Sequence, residues 1–159
     1  MTGSPVAALC SVWSASNASL GTTAGAGVDL VELAAFTSLH ATGGSAFLDN
    51  GWSSGEQRDA HGSVERLAAR WAAKEAVMKA LRCGIGDLDP LDIEILTEPD
   101  GAPRVVLHRN AADAAAALGV RHWHVSLCHE DGWAVAIAIA DRHEPAAGPT
   151  QTHEGNEDA

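Results

Sequence analysis

The chain has 159 residues, of which 46% are apolar, and a formal net charge of −11. This length and composition suit one folded domain with a substantial core. The negative charge argues against general nucleic-acid binding, which needs a basic surface, and no stretch approaches the roughly 18–20 continuous apolar residues of a membrane span. Residues 1–24 lack the basic residues and the apolar run of a secretory signal, so we expect a cytoplasmic protein.

Cysteine and histidine spacing gives little sign of a disulfide framework or a zinc site. Cys10, Cys83 and Cys128 are odd in number and far apart in the sequence. The only close histidine pair, His122-x-His124, has no third ligand at a known zinc-site spacing.

Three segments follow one another along the chain. Residues 1–24, rich in Ser, Ala, Thr and Gly, are predicted to be a flexible leader, and the acidic residues 141–159 a disordered tail. The folded domain is expected at 25–140. Its first strand, 27–33, should run into a helix that reaches His40 and breaks at Thr42-Gly-Gly-Ser. Residues 49–63 are polar and are predicted to be the longest irregular stretch.

The remaining predicted elements alternate between helix and strand. The strongest helix covers 64–82 and is ended by Gly84. After it come a strand at 92–96, a turn at 99–103, a strand at 104–108, a helix at 111–118 capped by Asn110, and two strands at 123–128 and 133–140. The order β-α-α-β-β-α-β-β predicts an α+β domain with a mostly antiparallel sheet packed on a central helix.

The helix at 64–82 has an unusual charge pattern. An apolar stripe passes through Leu67, Trp71, Met78 and Leu81, and Lys74 lies inside it. Glu75 and Lys79 lie together beside the stripe. The opposite face is alanine, at positions 68, 69, 72, 73 and 76, which permits close approach of another element. We therefore expect this helix to be enclosed on two sides.

A carboxylate far from this helix completes a possible site. Lys74 and Lys79 are the only two lysines of the chain, and Asp29 follows Gly27 at the end of the first predicted strand. An isolated acid combined with a remote Glu-x-x-x-Lys helix is suited to magnesium and phosphate. The alternative is structural: Glu75 and Lys79 as an exposed helix pair, with Asp29 as a turn or capping acid.

Two segments carry a resemblance to a known family. Gly27-Val-Asp-Leu-Val-Glu-Leu33 and Arg70-Trp-Ala-Ala-Lys-Glu-Ala-Val-Met-Lys-Ala80 resemble the signature motifs of holo-acyl-carrier-protein synthases, the small bacterial class of 4′-phosphopantetheinyl transferases. Further similar motifs follow in the family order: Gly84-Ile-Gly86, Gly101-Ala-Pro103 and His124-Val-Ser-Leu-Cys-His129-Glu. The resemblance covers about residues 25–140.

The resemblance implies an activity and a set of site residues. The family transfers 4′-phosphopantetheine from coenzyme A to a serine of an apo acyl carrier protein or carrier domain, for fatty acid or polyketide synthesis. Asp29 and Glu75 would bind Mg²⁺, and with Lys79 they would form the catalytic set. Glu75 would remove the serine proton, directly or through a water. Coenzyme A would be held by residues Arg70, Lys79, Gly84, Gly86, Gly101, Pro103 and His129. Family members of this size form homotrimers whose sites are shared between neighbours.

The chain departs from the family pattern in three places. A lysine of the family stands between Gly101 and Pro103, where this chain has Ala102, and Cys128 replaces a common Ser or Thr. The helix after Asp29 lacks the arginines that grip an acidic carrier. The carrier is therefore expected either to meet apolar residues such as Phe36, Leu39 and Phe47, or to be an integrated domain of a large synthase.

Two rival functions remain open at this point. One is a non-catalytic module of the same fold that binds coenzyme A or a carrier. The other is an unrelated magnesium-dependent nucleotide hydrolase, although the sequence has no Walker loop.

Overall fold

The computed structural model describes residues 22–142 and confirms the predicted α+β class. Its elements, in chain order, are β1 (Thr23–Glu32), α1 (Leu33–Gly51), α2 (Ser54–Ala60), α3 (Val64–Ala80), a 3₁₀ turn (Pro90–Asp92), β2 (Ile93–Thr97), β3 (Pro103–Leu107), α4 (Arg109–Ala117), β4 (His122–Glu130) and β5 (Trp133–Asp141). No helix among these residues is long and apolar enough to cross a membrane. Most of the predicted leader and tail lies outside the described residues.

All strand pairs are antiparallel. One sheet has three strands in the order β1-β5-β4, and β2 and β3 form a separate hairpin. Asp131 and Gly132 join β4 to β5 with positive φ angles of 48° and 84°, the backbone of a two-residue hairpin turn. The predicted mostly antiparallel sheet on a central helix is confirmed.

Helix α3 is the centre of the fold. It packs against the three-stranded sheet on one side and against α1, α2 and β2 on the other. The alanine face allows very close contact with β1: a Cβ on Gly27 would lie 2.0 Å from the carbonyl oxygen of Ala76, and one on Gly25 equally close to that of Ala80. The expectation of a doubly enclosed helix is therefore right, and only glycine fits these two strand positions.

The three-stranded sheet turns its small residues inward. Ala134, Ala136, Ala138 and Ala140 of β5 are all buried beneath α3. Larger residues of β5 and of the neighbouring strand β1 point outward. Of these, Val28 and Leu30 of β1 and Trp133 and Ile137 of β5 remain 46–58% exposed. Val28 pairs with Ile137, and Trp133 pairs with Glu32 at the end of the same strand pair. We call these four apolar residues the outer sheet face.

The structure confirms the predicted break at Thr42-Gly-Gly-Ser and corrects two other local predictions. The backbone at Gly44 is non-helical, with φ and ψ of 56° and −142°, so α1 consists of two helical segments that meet at a kink, and the second segment reaches Gly51. The stretch 49–63 is not irregular, because it contains α2. Helix α4 begins at Arg109, so Asn110 lies inside it rather than capping it, and His108 is the N-cap.

Candidate functional site

Asp29, Glu75 and Lys79 come together where β1 passes over the C-terminal half of α3. Asp29 is on the helix-facing side of β1, two residues after Gly27, so the close packing of strand on helix brings its carboxylate to Lys79. The Lys79 ammonium donates to Asp29 Oδ1 over 2.7 Å and to the Val28 carbonyl over 3.1 Å. The side chain of Lys79 is 52% exposed and that of Asp29 11% exposed.

Glu75 completes this cluster beside Asp29. Burial, followed by the negative charge of Asp29, raises the pKa of Glu75, and a hydrogen bond from Trp71 and the charge of Lys79 only partly oppose this. The two carboxylates are within hydrogen-bonding reach of one another. Such a close pair of like charges is stabilised by a proton or by a cation. We call these three residues the acidic cluster.

The predicted nucleotide-binding residues lie in a different place. A cavity of about 660 Å³ opens between α3, the β2–β3 hairpin and the end of β4. Arg70, Gly101, Pro103 and His129 all line it. Arg66 lines this cavity as well, and Asp59 is the acidic residue in its lining. We call this cavity the cationic cleft because its two arginines outnumber that acid. Gly84 and Gly86 do not line this cavity and instead follow the C-terminal end of α3.

Arg70 is largely occupied within the protein. Only 6% exposed, it donates from Nε to the Ile95 carbonyl, from Nη1 to the Arg66 carbonyl and from Nη2 to Thr97 Oγ1. Burial lowers the pKa of Arg70, and Asp59 and Glu56 oppose that shift. Arg70 therefore holds α3 to β2 and gives the cleft a buried positive charge.

The two groups of residues are on opposite faces of α3. At 100° per residue, Glu75 and Lys79 point about 140° and 180° away from Arg70. Within the sheet, Asp29 aligns through Ala136 of β5 with Leu127 of β4, which lines the cationic cleft. Two strand spacings separate these positions by about 10 Å, and α3 lies over that part of the sheet. One copy of the chain thus presents two half-sites divided by a helix.

Lys74 plays no part in either half-site. Its ammonium donates to Glu56 Oε2, the Pro90 carbonyl and the Ile93 carbonyl at 2.7–2.8 Å, and both charged side chains are fully buried. Glu56 also accepts from the backbone N–H groups of Ser53 and Ile95. Because every ammonium N–H has an acceptor, this pair is a structural link between α2, α3 and β2.

The predicted carrier contacts on α1 are only partly exposed. Phe36 is 4% exposed and packs edge-on against Phe47 and Trp52, so it belongs to the core and the prediction for Phe36 is wrong. Leu39 is 59% exposed. Phe47 is partly buried and lines a 340 Å³ groove that ends at Trp71, the hydrogen-bond partner of Glu75.

Sequence reasoning missed some residues of both half-sites. Arg66, His61, Asp59 and Thr97 line the cationic cleft, and Trp71 contacts Glu75. The signal for Arg66 was available, because it stands four residues before Arg70 on the same face of a helix. Thr97 and Asp59 come from the hairpin and from α2, and only the tertiary structure brings them to α3.

Comparison with known proteins identifies the family of the chain. Residues 25–138 match the 4′-phosphopantetheinyl transferase superfamily. The chain belongs to this superfamily. It is 42% identical over 123 residues to a holo-[acyl-carrier-protein] synthase of Streptomyces avermitilis, which covers 74% of this chain and 96% of the relative. The predicted family and the transferase activity of a holo-[acyl-carrier-protein] synthase are confirmed.

Two further similarities concern a bound ligand and a larger protein. The structure of Helicobacter pylori holo-[acyl-carrier-protein] synthase in complex with coenzyme A has a TM-score of 0.67 and 29% identity, covering 73% of this chain and 99% of that one. Fatty acid synthase subunit alpha of Schizosaccharomyces pombe is 49% identical over 78 residues, which are 48% of this chain and 4% of that protein. This transferase domain thus has relatives both as separate chains and as part of a large synthase.

Proposed function

We propose that this chain transfers 4′-phosphopantetheine from coenzyme A to a serine of an apo carrier through the acidic cluster and the cationic cleft. The observation that carries the proposal is the pairing of two facing carboxylates, Asp29 and Glu75, with the exposed ammonium of Lys79. The reaction forms a bond between the serine Oγ and the β-phosphorus of coenzyme A. It breaks the bond from that phosphorus to adenosine 3′,5′-bisphosphate, which leaves.

The acidic cluster fits a magnesium ion. Mg²⁺ prefers oxygen ligands and is commonly held by one or two carboxylates together with substrate phosphates, and the cluster offers Asp29 and Glu75. Burial and then the charge of Asp29 raise the pKa of Glu75, and a divalent cation would relieve the repulsion between the two carboxylates. When bound, Mg²⁺ would neutralise the charge that develops on the phosphate oxygens.

Lys79 and Glu75 have separate tasks in this proposal. Lys79 is half-exposed, so its ammonium can bind a non-bridging oxygen of the pyrophosphate while Asp29 fixes its position. Glu75 is the candidate general base for the serine proton. Its raised pKa makes its carboxylate a stronger base than an exposed glutamate. The hydrogen bond from Trp71 orients that carboxylate.

The cationic cleft is proposed to hold the adenosine end of coenzyme A. Its lining combines the positive charge of Arg66 and Arg70 with the imidazole of His129 and with apolar atoms of Ile95 and Pro103. Such a mixture is suited to a nucleoside bearing a phosphate. In an otherwise acidic protein, this cleft concentrates positive charge locally.

A second copy of the chain is proposed to complete the site. A single coenzyme A molecule would have to pass around α3 to reach both half-sites of one copy. Two copies can instead place the acidic cluster of one against the cationic cleft of the other. The outer sheet face, formed by Val28, Leu30, Trp133 and Ile137, offers an apolar surface for such an assembly. Cyclic closure of this contact gives the homotrimer that the resemblance implies.

The carrier protein and the cellular location stay predictions. The carrier is either a free-standing protein or an embedded domain of a synthase. The chain is similar to separate transferases and to part of a large synthase, so both kinds of carrier are compatible with the comparisons. A cytoplasmic location is proposed because coenzyme A is an intracellular substrate.

The test is the mass of the carrier after reaction. The chain is incubated with coenzyme A, Mg²⁺ and apo forms of free and embedded carriers, and each carrier is measured by intact mass spectrometry. Transfer adds the mass of one phosphopantetheine group. A carrier of unchanged mass with bound coenzyme A would indicate a binding module, and degradation of coenzyme A without any carrier would indicate a hydrolase.

A further inference from the structure

Arg66 presents an uncommitted guanidinium to the cationic cleft. Arg66 is exposed and lines this cavity, and among residues 22–142 its side chain has no ion-pair partner. Its backbone is fixed, because its N–H is bonded to the N-cap Ser63 and its carbonyl to Arg70. The side chain is thus placed by the first turns of α3 and remains available to a ligand.

The other arginines near the cleft, and its acid, are already engaged within the protein. Arg70 already donates from Nε, Nη1 and Nη2 to protein acceptors. Arg104, next to Pro103, pairs with Glu98 and lines a separate 500 Å³ groove. The acid Asp59 accepts from the Thr97 backbone N–H. Ala102, between Gly101 and Pro103, brings no charge.

We propose that Arg66 binds the 3′-phosphate of coenzyme A and so makes the enzyme select coenzyme A over its 3′-dephospho form. This inference rests on the proposed function. In that reaction the pyrophosphate lies at Lys79 and the carboxylates, on the other face of α3. The phosphate that reaches the cationic cleft is therefore the one on the ribose. A phosphate monoester is doubly charged near neutral pH and matches the fork of an arginine.

The experiment compares two substrates and four proteins. Steady-state KM values are measured for coenzyme A and for 3′-dephospho-coenzyme A with wild type, Arg66→Ala, Arg66→Lys and the control Arg58→Ala. Arg58 is an exposed arginine of α2 that does not line the cleft, and its loss changes net charge equally. Carrier KM is measured in parallel, and calorimetric binding of coenzyme A gives a readout independent of transfer.

Arg66→Ala should raise the KM for coenzyme A roughly 10- to 100-fold, the effect of losing one charge-assisted hydrogen bond. With 3′-dephospho-coenzyme A, wild type and Arg66→Ala should be nearly equal, because the phosphate that Arg66 contacts is gone. Arg66→Lys should retain part of the preference, and Arg58→Ala all of it.

Three results would overturn the assignment of Arg66. The first is an unchanged KM for coenzyme A in Arg66→Ala, and the second is an equal loss with both substrates. The third is a rise confined to the carrier KM, which would place Arg66 in the carrier contact. Failure of the proposed function is a separate outcome, because the wild type would then modify no carrier.

Discussion

At the scale of single residues, the acidic cluster holds two carboxylates whose negative charges repel each other unless a cation lies between them. Burial, followed by the charge of Asp29, raises the pKa of Glu75, whereas the charge of Lys79 opposes that shift while its ammonium pairs with Asp29. Keeping two carboxylates this close lowers the stability of the folded protein. That cost is explained if the pair binds a metal during the reaction.

We predict that Asp29→Ala and Glu75→Ala each lower transfer by roughly 100-fold or more, because each removes a proposed metal ligand and Glu75 is also the proposed base. Neither change cuts the core, so thermal unfolding should change little. Rates are measured across a range of Mg²⁺ concentrations. The control Asp113→Ala removes an exposed acid of α4 and should have wild-type rates. Near wild-type turnover of either cluster variant at limiting Mg²⁺ would refute the metal assignment.

Lys74, the other lysine of α3, has a structural rather than a catalytic role. Lys74 and Glu56 are fully buried, and burial lowers the pKa of Lys74 while it raises that of Glu56; in each residue the partner's charge opposes the shift. Three acceptors around the ammonium keep the pair ionised. Removing one partner would leave the other charge buried without compensation.

We predict that Lys74→Met destabilises the protein by about 3–5 kcal/mol, whereas the double variant Lys74→Met with Glu56→Leu recovers a large part of that loss. Equilibrium urea unfolding at one fixed protein concentration measures both. Lys79→Met is the matched control: the same substitution at a half-exposed site should change stability by less than about 1 kcal/mol. Equal losses for Lys74→Met and Lys79→Met would contradict the structural role of Lys74.

At the scale of secondary structure, periodicity predicted the long elements and missed the short one. Helix α3 was predicted within two residues of its observed ends because its seventeen residues carry a clear apolar stripe, although the helix ends at Ala80 with Leu81 as its C-cap rather than at Gly84. Helix α2 has only seven residues, and its sequence contains no apolar stripe. Its signal was local: Ser53 and Glu56 form a capping box, in which each side chain accepts from the other residue's backbone N–H.

The direction of an element's faces was harder to predict than its existence. The sequence predicted a strand at 133–140, and in a half-buried strand the larger residues would ordinarily face the core. The alanines face inward instead, because the backbone of α3 lies directly on the sheet. Phe36 was misplaced for a related reason: the sequence of α1 does not show which of its aromatic residues turns toward Trp52.

Helix α1 carries no charged residue before Asp49, which bears on the carrier. No Asp, Glu, Lys or Arg occurs between Glu32 and Asp49, and Leu39 is its large exposed apolar residue. Such a helix offers no positive charge to an acidic partner. If the carrier docks here, contact with Leu39 and the adjacent groove at Phe47 must supply the affinity.

We predict that the carrier KM is little changed, or is lowered, when salt is raised from low to physiological concentration, since screening acts over about 8–10 Å and weakens repulsion between two acidic proteins. Leu39→Ala should raise carrier KM more than Glu32→Gln does, with KM for coenzyme A unchanged. Initial rates are titrated against carrier at several salt concentrations. A steep loss of affinity with salt would show instead that arginines elsewhere form the carrier contact.

At the scale of the whole molecule, the motifs assigned Asp29, Glu75, Lys79, Arg70 and His129 to one ligand but did not show how far apart these residues lie in one copy of the chain. The structure separates the first three from the other two. The structure divides them because residues five and nine positions apart on a helix point away from each other. Linear spacing shows which residues share a helix face, but the separation of the acidic cluster from the cationic cleft also depends on where the strands lie around that helix.

The shared site can be tested by mixing two inactive variants. One is Asp29→Ala, which lacks the acidic cluster. The other is Arg66→Glu with His129→Ala, which lacks the cationic cleft. If each site joins the cluster of one copy to the cleft of its neighbour, mixed trimers contain some sites built entirely from intact halves. Subunits are exchanged by mild denaturation and refolding together, and transfer is compared with each variant refolded alone.

We predict that an equal mixture recovers about one quarter of the wild-type activity, because each site of a randomly assembled ring has a one-in-four chance of receiving both intact halves. A further change, Ile137→Lys in both variants, places a charge on the outer sheet face. It should abolish this recovery and reduce the oligomer to monomers, as measured by light scattering. If each copy held a complete site, mixing would restore nothing, and the division of the site by α3 would have no functional consequence.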